Sequence, residues 1–194
     1  MDSVLRQTRR AGTFPYPHQA AVFLNNPIRR AFGRPGSVID GLHLAGAERV
    51  LEIGPGPGYF SVEIARRLTA GRLELFDLQP EMLVKARKAL ATAGFVGIGA
   101  HSGDAGQGLP FPDASFDIAF LAAVLGEVPD KATCVAELHR VVKVGGSVVF
   151  VEAFPDPDRL GVNTLRELVE PAGFTLDRAS GGRFRDVVRF RRKA

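Results

Sequence analysis

From residue 49 onward, short apolar runs alternate with stretches of helical period, each closed by glycine, proline or a charged residue. Arg49–Ile53 reads as a strand, and residues 61–68 as a helix entered from a glycine-rich turn. Arg72–Asp77 is a second strand that ends on a carboxylate. In residues 80–93, Met82, Leu83, Ala86, Ala89, Leu90 and Ala93 recur at spacings of 3, 4 and 7, an apolar helix face that Gly94 stops. A third strand is expected near residues 95–101, weakened by Gly97 and Gly99. Residues 116–124 form a continuous apolar strand, 131–142 a helix ended by Gly145-Gly146, and 147–154 a fifth strand. A last helix over 162–172 holds Pro171 near its end, and a strand pair follows, turning at Ser180-Gly181-Gly182. Strand and helix in repetition imply a parallel sheet covered on both faces.

The first strand runs through Glu52 into glycines at alternate positions, Gly54, Gly56 and Gly58. Such glycines let the backbone take positive φ and approach a ligand, while the free N–H groups of the next helix face the same turn. Asp77 lies 19 residues beyond Gly58, about the interval at which doubly wound folds set an acid against a ribose. The competing readings are a plain loop for the glycines and a helix cap ahead of Pro80 for Asp77. Glu52, in an apolar strand, is too costly to bury unpaired, so it belongs to a site or is satisfied by N–H groups of the turn.

Four segments in order resemble the class I S-adenosylmethionine-dependent methyltransferases: VLEIGPGPGYF at 50–60, LFDLQPEML at 75–83, SGDAGQGLPFPDASFDIAFL at 102–121 and LHRVVKVGGSVVFVEAF at 138–154. The resemblance runs from about Ile39 to residue 194. The turn LPFPDASFD and the RVVKVGG after a helix are similar to the branch that contains the quinone and small-molecule methyltransferases, and DLQPEML and VLGEVPD resemble a group of small bacterial members. The resemblance implies an α/β, Rossmann-like fold: a mostly parallel seven-stranded sheet with an antiparallel C-terminal strand and helices on both faces. It divides the chain into an N-terminal lid or cover, residues 1–38, and a cofactor-binding domain, residues 39–194.

It also implies roles for single residues. Gly54, Pro55, Gly56 and Gly58 would hold the methionine end of S-adenosylmethionine, with Glu52 supporting its ammonium. Asp77 would take the ribose hydroxyls, and Leu78 would pack on adenine, with Met82 and Gly103 in the same pocket. Asp104, with the Ala105 backbone, would read the amino edge of adenine, unless Asp104 only shapes a turn; Leu121 and Ala122 would lie near the transferred methyl. Glu127 and Glu152 are candidate general bases, with a salt bridge or cap as the alternative for each. A base is dispensable in principle, since orientation alone can remove roughly 7–11 kcal/mol from a bimolecular barrier. Where many members of the family carry His or Asn before the V-P-D turn, this chain has Gly126, so a substrate hydrogen bond there does not transfer.

With 194 residues, 45% of them hydrophobic, the chain suits one α/β domain. A single cysteine excludes a disulfide framework and suits a reducing cytoplasm; Cys134 falls on the apolar face of its helix, a core position. Four scattered histidines and unclustered carboxylates call for no metal. No run is long enough to cross a membrane. The net charge of +4 and the arginines crowding residues 178–192 would suit nucleic acid or an anionic membrane, yet aromatic interleaving is slight, and a terminal strand with solvated arginines is the preferred reading. The acceptor is expected to be small or lipid-like, and its pocket to be covered by the N-terminal segment, where Phe14, Tyr16, His18 and Phe23 stand. Two rivals share the cofactor pattern: a non-catalytic S-adenosylmethionine-binding or regulatory protein, and an NAD-dependent oxidoreductase, whose third glycine is replaced here by Tyr59 and Phe60.

Overall fold

The computed structural model of the chain describes residues 34–154, 156–182 and 184–194. In chain order the elements are α1 (Pro35–Asp40), β1 (Arg49–Ile53), α2 (Ser61–Arg67), β2 (Arg72–Asp77), α3 (Pro80–Thr92), β3 (Gly99–Ser102) and β4 (Phe116–Ala122). A 3-10 turn (Leu125–Glu127), α4 (Lys131–Val141), β5 (Val142–Ala153), α5 (Val162–Val169), a second 3-10 turn (Glu170–Ala172), β6 (Phe174–Gly182) and β7 (Arg185–Arg192) complete it. The strands form one seven-stranded sheet in the order β3-β2-β1-β4-β5-β7-β6. β1 to β5 pair in parallel, and β7 is antiparallel to both its neighbours.

Alternation along each strand sends neighbouring side chains to opposite faces, so the sheet carries two apolar layers. Leu51, Ile53, Phe76, Leu121, Phe150 and Val188 pack with Cys134 and Leu138 of α4 and Leu165 of α5. Val50, Leu73, Leu75, Phe120, Val149 and Val151 pack on the other face with Ile39 of α1, Ile64 of α2 and Leu83 of α3. Each such buried side chain contributes roughly 1.5–3 kcal/mol. Register sets the position of the site: Ile53 lies beside both Phe76 and Leu121, which brings the ends of β1, β2 and β4 to one edge. Crevices at that edge are where open α/β sheets bind ligands.

Several expectations need correction. β3 starts at Gly99 rather than residue 95, because the chain turns through Gly97 at φ 75° before it can pair with β2. β4 stops at Ala122, since Ala123 takes a φ of 53° and leaves the extended region. α4 ends at Val141 without help from the glycine pair, and β5 begins at once: Val142 pairs with Phe116, and an irregularity then carries the register to Ser147 beside Ile118. Gly145-Gly146 lies inside that irregular strand. α5 ends at Val169, and Pro171 sits in the first turn of a separate 3-10 segment, where its missing N–H costs nothing. β6 continues through Gly182.

The late arginines are not simply solvated. Arg189 donates to Ser147 Oγ at 3.0 Å and to the Leu42 carbonyl at 3.2 Å, tying β7 to β5 and to the segment after α1. Arg192 donates to His139 Nε2 at 3.3 Å and to the Val142 carbonyl. α1 straddles the expected boundary at residue 38: Val38 and Ile39 are both buried in the layer with α2. Tyr16, His18 and Phe23, expected in the cover, lie outside the described residues.

Candidate functional site

The turn after β1 is held by the sheet itself. Gly54 N donates to the Phe76 carbonyl at 2.8 Å, so the turn begins only after β1 has been fastened to β2. Gly54 has φ 66°, and a Cβ there would stand 2.3 Å from Val124 Cγ2, so both conformation and space demand glycine. Among the described residues nothing lies within 4 Å of a Cβ built on Gly56. Ser61 then starts α2 with its side chain buried behind the turn.

Beneath this turn Glu52 is 2% exposed, and its Oε2 has no hydrogen-bond partner; nor has Ser61 Oγ. Burial pushes the Glu52 carboxyl up to about 8, and the nearby Asp77 adds to the rise. The Ser61 hydroxyl offsets part of it but falls short of hydrogen-bond geometry. Among the described residues no N–H of the turn reaches Glu52 Oε2.

Asp77, at the end of β2, is also buried, and burial raises its pKa, while the backbone N–H groups of Gln79 and Gly56 pull it down. Its Oδ1 accepts from Gln79 N at 2.8 Å. That bond shapes the entry to α3, whose N-cap is Gln79 with no side-chain cap, so Asp77 sits just ahead of the helix rather than on it. Two buried carboxylates side by side, short of donors, are the complement of a ligand that brings an amine and hydroxyls. The residues present therefore fit the methionine and ribose ends of S-adenosylmethionine.

The remaining cofactor candidates divide. Leu78 is 47% exposed just past β2, open for a flat ring to pack on. Met82 is buried on α3. Gly103 leaves room for the Phe76 ring, which a Cβ would approach at 2.9 Å. Asp104 accepts from Gly106 N at 2.8 Å and from Gln107 Nε2 at 3.1 Å, so among the described residues it shapes a turn. Ala105 is buried in the core. The Leu121 side chain is in the core as well, so it can offer a ligand only its backbone, while Ala122 is half-buried.

The other half of the edge is built from β4, β5 and β7. Glu127 lies half-buried in the 3-10 turn after β4. Glu152, 1% exposed on β5, accepts from Leu160 N at 3.1 Å. Burial pushes it up to about 7; that N–H and Arg159 pull down, while Asp156 and Asp186 push further up. Gly126 has a structural cause: a Cβ there would stand 2.0 Å from the carbonyl oxygen of Asp158, so the connection from β5 to α5 lies directly on this turn. Phe154 and Phe184, each 56% exposed and 6.3 Å apart between ring centres, extend the rim where β5 meets β7.

Cys134 is buried, with burial pushing its thiol up to about 12, which suits packing and not reactivity. Ser61, Arg159 and Asp186 belong to the edge and were not anticipated. Ser61 had a signal, as the first helical residue after the turn; Arg159 and Asp186 meet through strand register and had none. A cavity of about 610 Å³ opens between α1 and the β6–β7 pair, lined in part by Val38, Leu42, Val149 and Arg178, and none of Glu52, Asp77, Glu127 or Glu152 lines it.

A family described as "Methyltransferase domain" matches residues 51–150. The chain is 36% identical over 133 residues to a ubiquinone/menaquinone biosynthesis C-methyltransferase of Marinomonas, covering 68% of this chain and 51% of that protein. It spans about half the length of the curated relatives it matches. Among solved structures, a SAM-dependent methyltransferase from Aquifex aeolicus superposes with a TM-score of 0.81 at 20% identity, over 91% of this chain and 98% of that one. The [4+2]-cyclase SpnF superposes with a TM-score of 0.73 at 18% identity, over 82% and 80%. At such identities the likeness is one of fold, and the fold alone does not fix the reaction.

Proposed function

Because this chain belongs to the methyltransferase-domain family, we propose that it transfers a methyl group from S-adenosylmethionine to a small apolar or lipid-like acceptor. The observation that carries this reading is Glu52: a buried carboxylate with an unpartnered oxygen, under a glycine turn and beside a second buried carboxylate. When bound, the cofactor supplies a methyl group already activated on a positively charged sulfur. Glu52 meets the ammonium, Asp77 the ribose hydroxyls and Leu78 the adenine, and the Asp104 turn borders the same pocket. What remains for the protein is alignment of the acceptor, exclusion of water and a place for the acceptor's proton. Glu152 is the better placed candidate to take that proton, since a group titrating near 7 can both accept and release it at neutral pH.

The acceptor is read from the rim. Phe154 and Phe184 offer apolar surface, and in this reading the segment from Phe14 to Phe32, outside the described residues, covers the pocket from the other side. A quinone-type ring methylated on carbon, in line with the names of its relatives, is the specific form of the proposal. Calorimetric titration tests the cofactor: S-adenosylmethionine and its demethylated product should bind and NAD should not. Binding of NAD alone would turn the reading towards an oxidoreductase. Transfer of labelled methyl to a demethylated quinol separates an enzyme from a binding protein.

A further inference from the structure

Glu152 Oε2 accepts from Leu160 N at 3.1 Å. The charged groups bearing on it are Asp156 and Arg159 from the connection to α5 and Asp186 from β7. Asp186 lies directly opposite Glu152 in the antiparallel register, so the two carboxylates point to the same face of the sheet. Two like charges beside a buried carboxylate would keep it protonated and unable to accept a proton. Arg159 is the cation that opposes them among the described residues. It pairs with Asp186 through one guanidinium nitrogen, its backbone N–H donates to the Asp156 carbonyl at 3.3 Å, and its Nε is buried with no partner. The adjoining Leu160 is the residue that bonds Glu152, and the preceding Asp158 carbonyl rests on Gly126.

We propose that Arg159 is a positioning residue for proton transfer: by neutralising Asp186 and fastening the connection between β5 and α5, it holds Glu152 able to take the acceptor's proton. The inference rests on the methyl-transfer reading. In the step it serves, the acceptor's electron pair forms the bond to the methyl carbon as the carbon–sulfur bond breaks, with the electrons of that bond staying on sulfur. The acceptor's proton passes to Glu152, so one positive and one negative charge are lost together.

The test follows the Glu152 carboxyl by 13C NMR in the full chain with S-adenosylhomocysteine, its resonance assigned by the loss of one signal in Glu152→Gln. Arg159→Gln should raise the titration midpoint by about one pH unit, Arg159→Lys should restore at least half of that, and Asp186→Asn should lower it. S-adenosylhomocysteine affinity should stay within twofold in all three. An unmoved midpoint in folded Arg159→Gln overturns the proposal. If that variant fails to fold, Asp186→Asn decides alone, and an unmoved midpoint there overturns it equally. Failure of the unaltered chain to bind S-adenosylhomocysteine instead removes the methyl-transfer reading, and the midpoints can still be compared without it.

Discussion

The edge at β1 and β2 and the edge at β5 and β7 both carry buried carboxylates, but they treat them in opposite ways. At the first, Glu52 keeps an unpartnered oxygen, and Asp77 is held only by backbone N–H groups. At the second, Glu152 takes a backbone N–H, and Asp186 is paired with Arg159. The first leaves a buried carboxylate oxygen without a partner, and the second ties its carboxylates to a backbone N–H and a guanidinium while Arg159 Nε stays unpartnered. A chain can hold open polar groups only where a ligand of fixed chemistry returns the cost. The second half, with its carboxylates already paired, leaves fewer signs of what it accepts.

The largest effect that would break this contrast is at Gly126. Gly126→Ala drives a Cβ into the Asp158 carbonyl, which is backbone and cannot swing away, so the connection must lift from the turn. A loss of about 3 kcal/mol in chemical denaturation is expected, with cofactor affinity unchanged. Coupled loss of both would mean that the halves are not separable.

Next in size is Asp77→Ala. Charge-assisted bonds to ribose are worth roughly 1.5–3 kcal/mol, so the dissociation constant should rise about ten- to a hundred-fold by calorimetry. Unchanged affinity would remove Asp77 from the ribose.

Glu52→Gln sharpens the comparison through pH. The folded carboxyl titrates at about 8 against an ordinary 4.5, so between those values the unfolded chain has released a proton that the folded one retains. Stability without ligand therefore falls as pH rises through that window, and Glu152, at about 7, acts in the same direction. The glutamine variant should melt higher at pH 8, by on the order of 5 °C, with a flatter pH dependence. Cofactor binding to the unaltered chain should tighten with rising pH up to about 8, since an ammonium prefers the ionised carboxylate. A variant less stable than its parent at pH 8 would show that Glu52 is satisfied after all.

The smallest effect on the fold is expected from deleting residues 1–30. If the segment is a cover, the melting temperature and cofactor binding should change little while methyl transfer is lost. A much lower melting temperature would make it a structural cap.

Much of the first half was legible. β1 and β2 announce themselves by apolar runs ending on carboxylates, and α3 by its spacing and Gly94, because local pattern and tertiary burial agree there. β3 and the start of β5 were misplaced where pairing overrode local signals: Val142 looked like the end of a helix until Phe116 supplied a partner. Glu52 and Asp77 could be singled out because a turn of fixed geometry follows each. Arg159 and Asp186 could not, since their meeting depends on how β7 registers against β5, and no local period encodes that.

The placement of β7 between β5 and β6 also sets an order of assembly. Synthesis runs from the N-terminus, and β6 is complete before the only strand that can pair with it exists. A released chain that ends at Gly182 still contains β1 to β5 and the turn around Glu52, yet it lacks Asp186, the residue opposite Glu152. A chain ending at Gly182 therefore holds every residue assigned above to the cofactor and lacks Asp186, and such a truncated chain should still retain S-adenosylhomocysteine if those assignments hold.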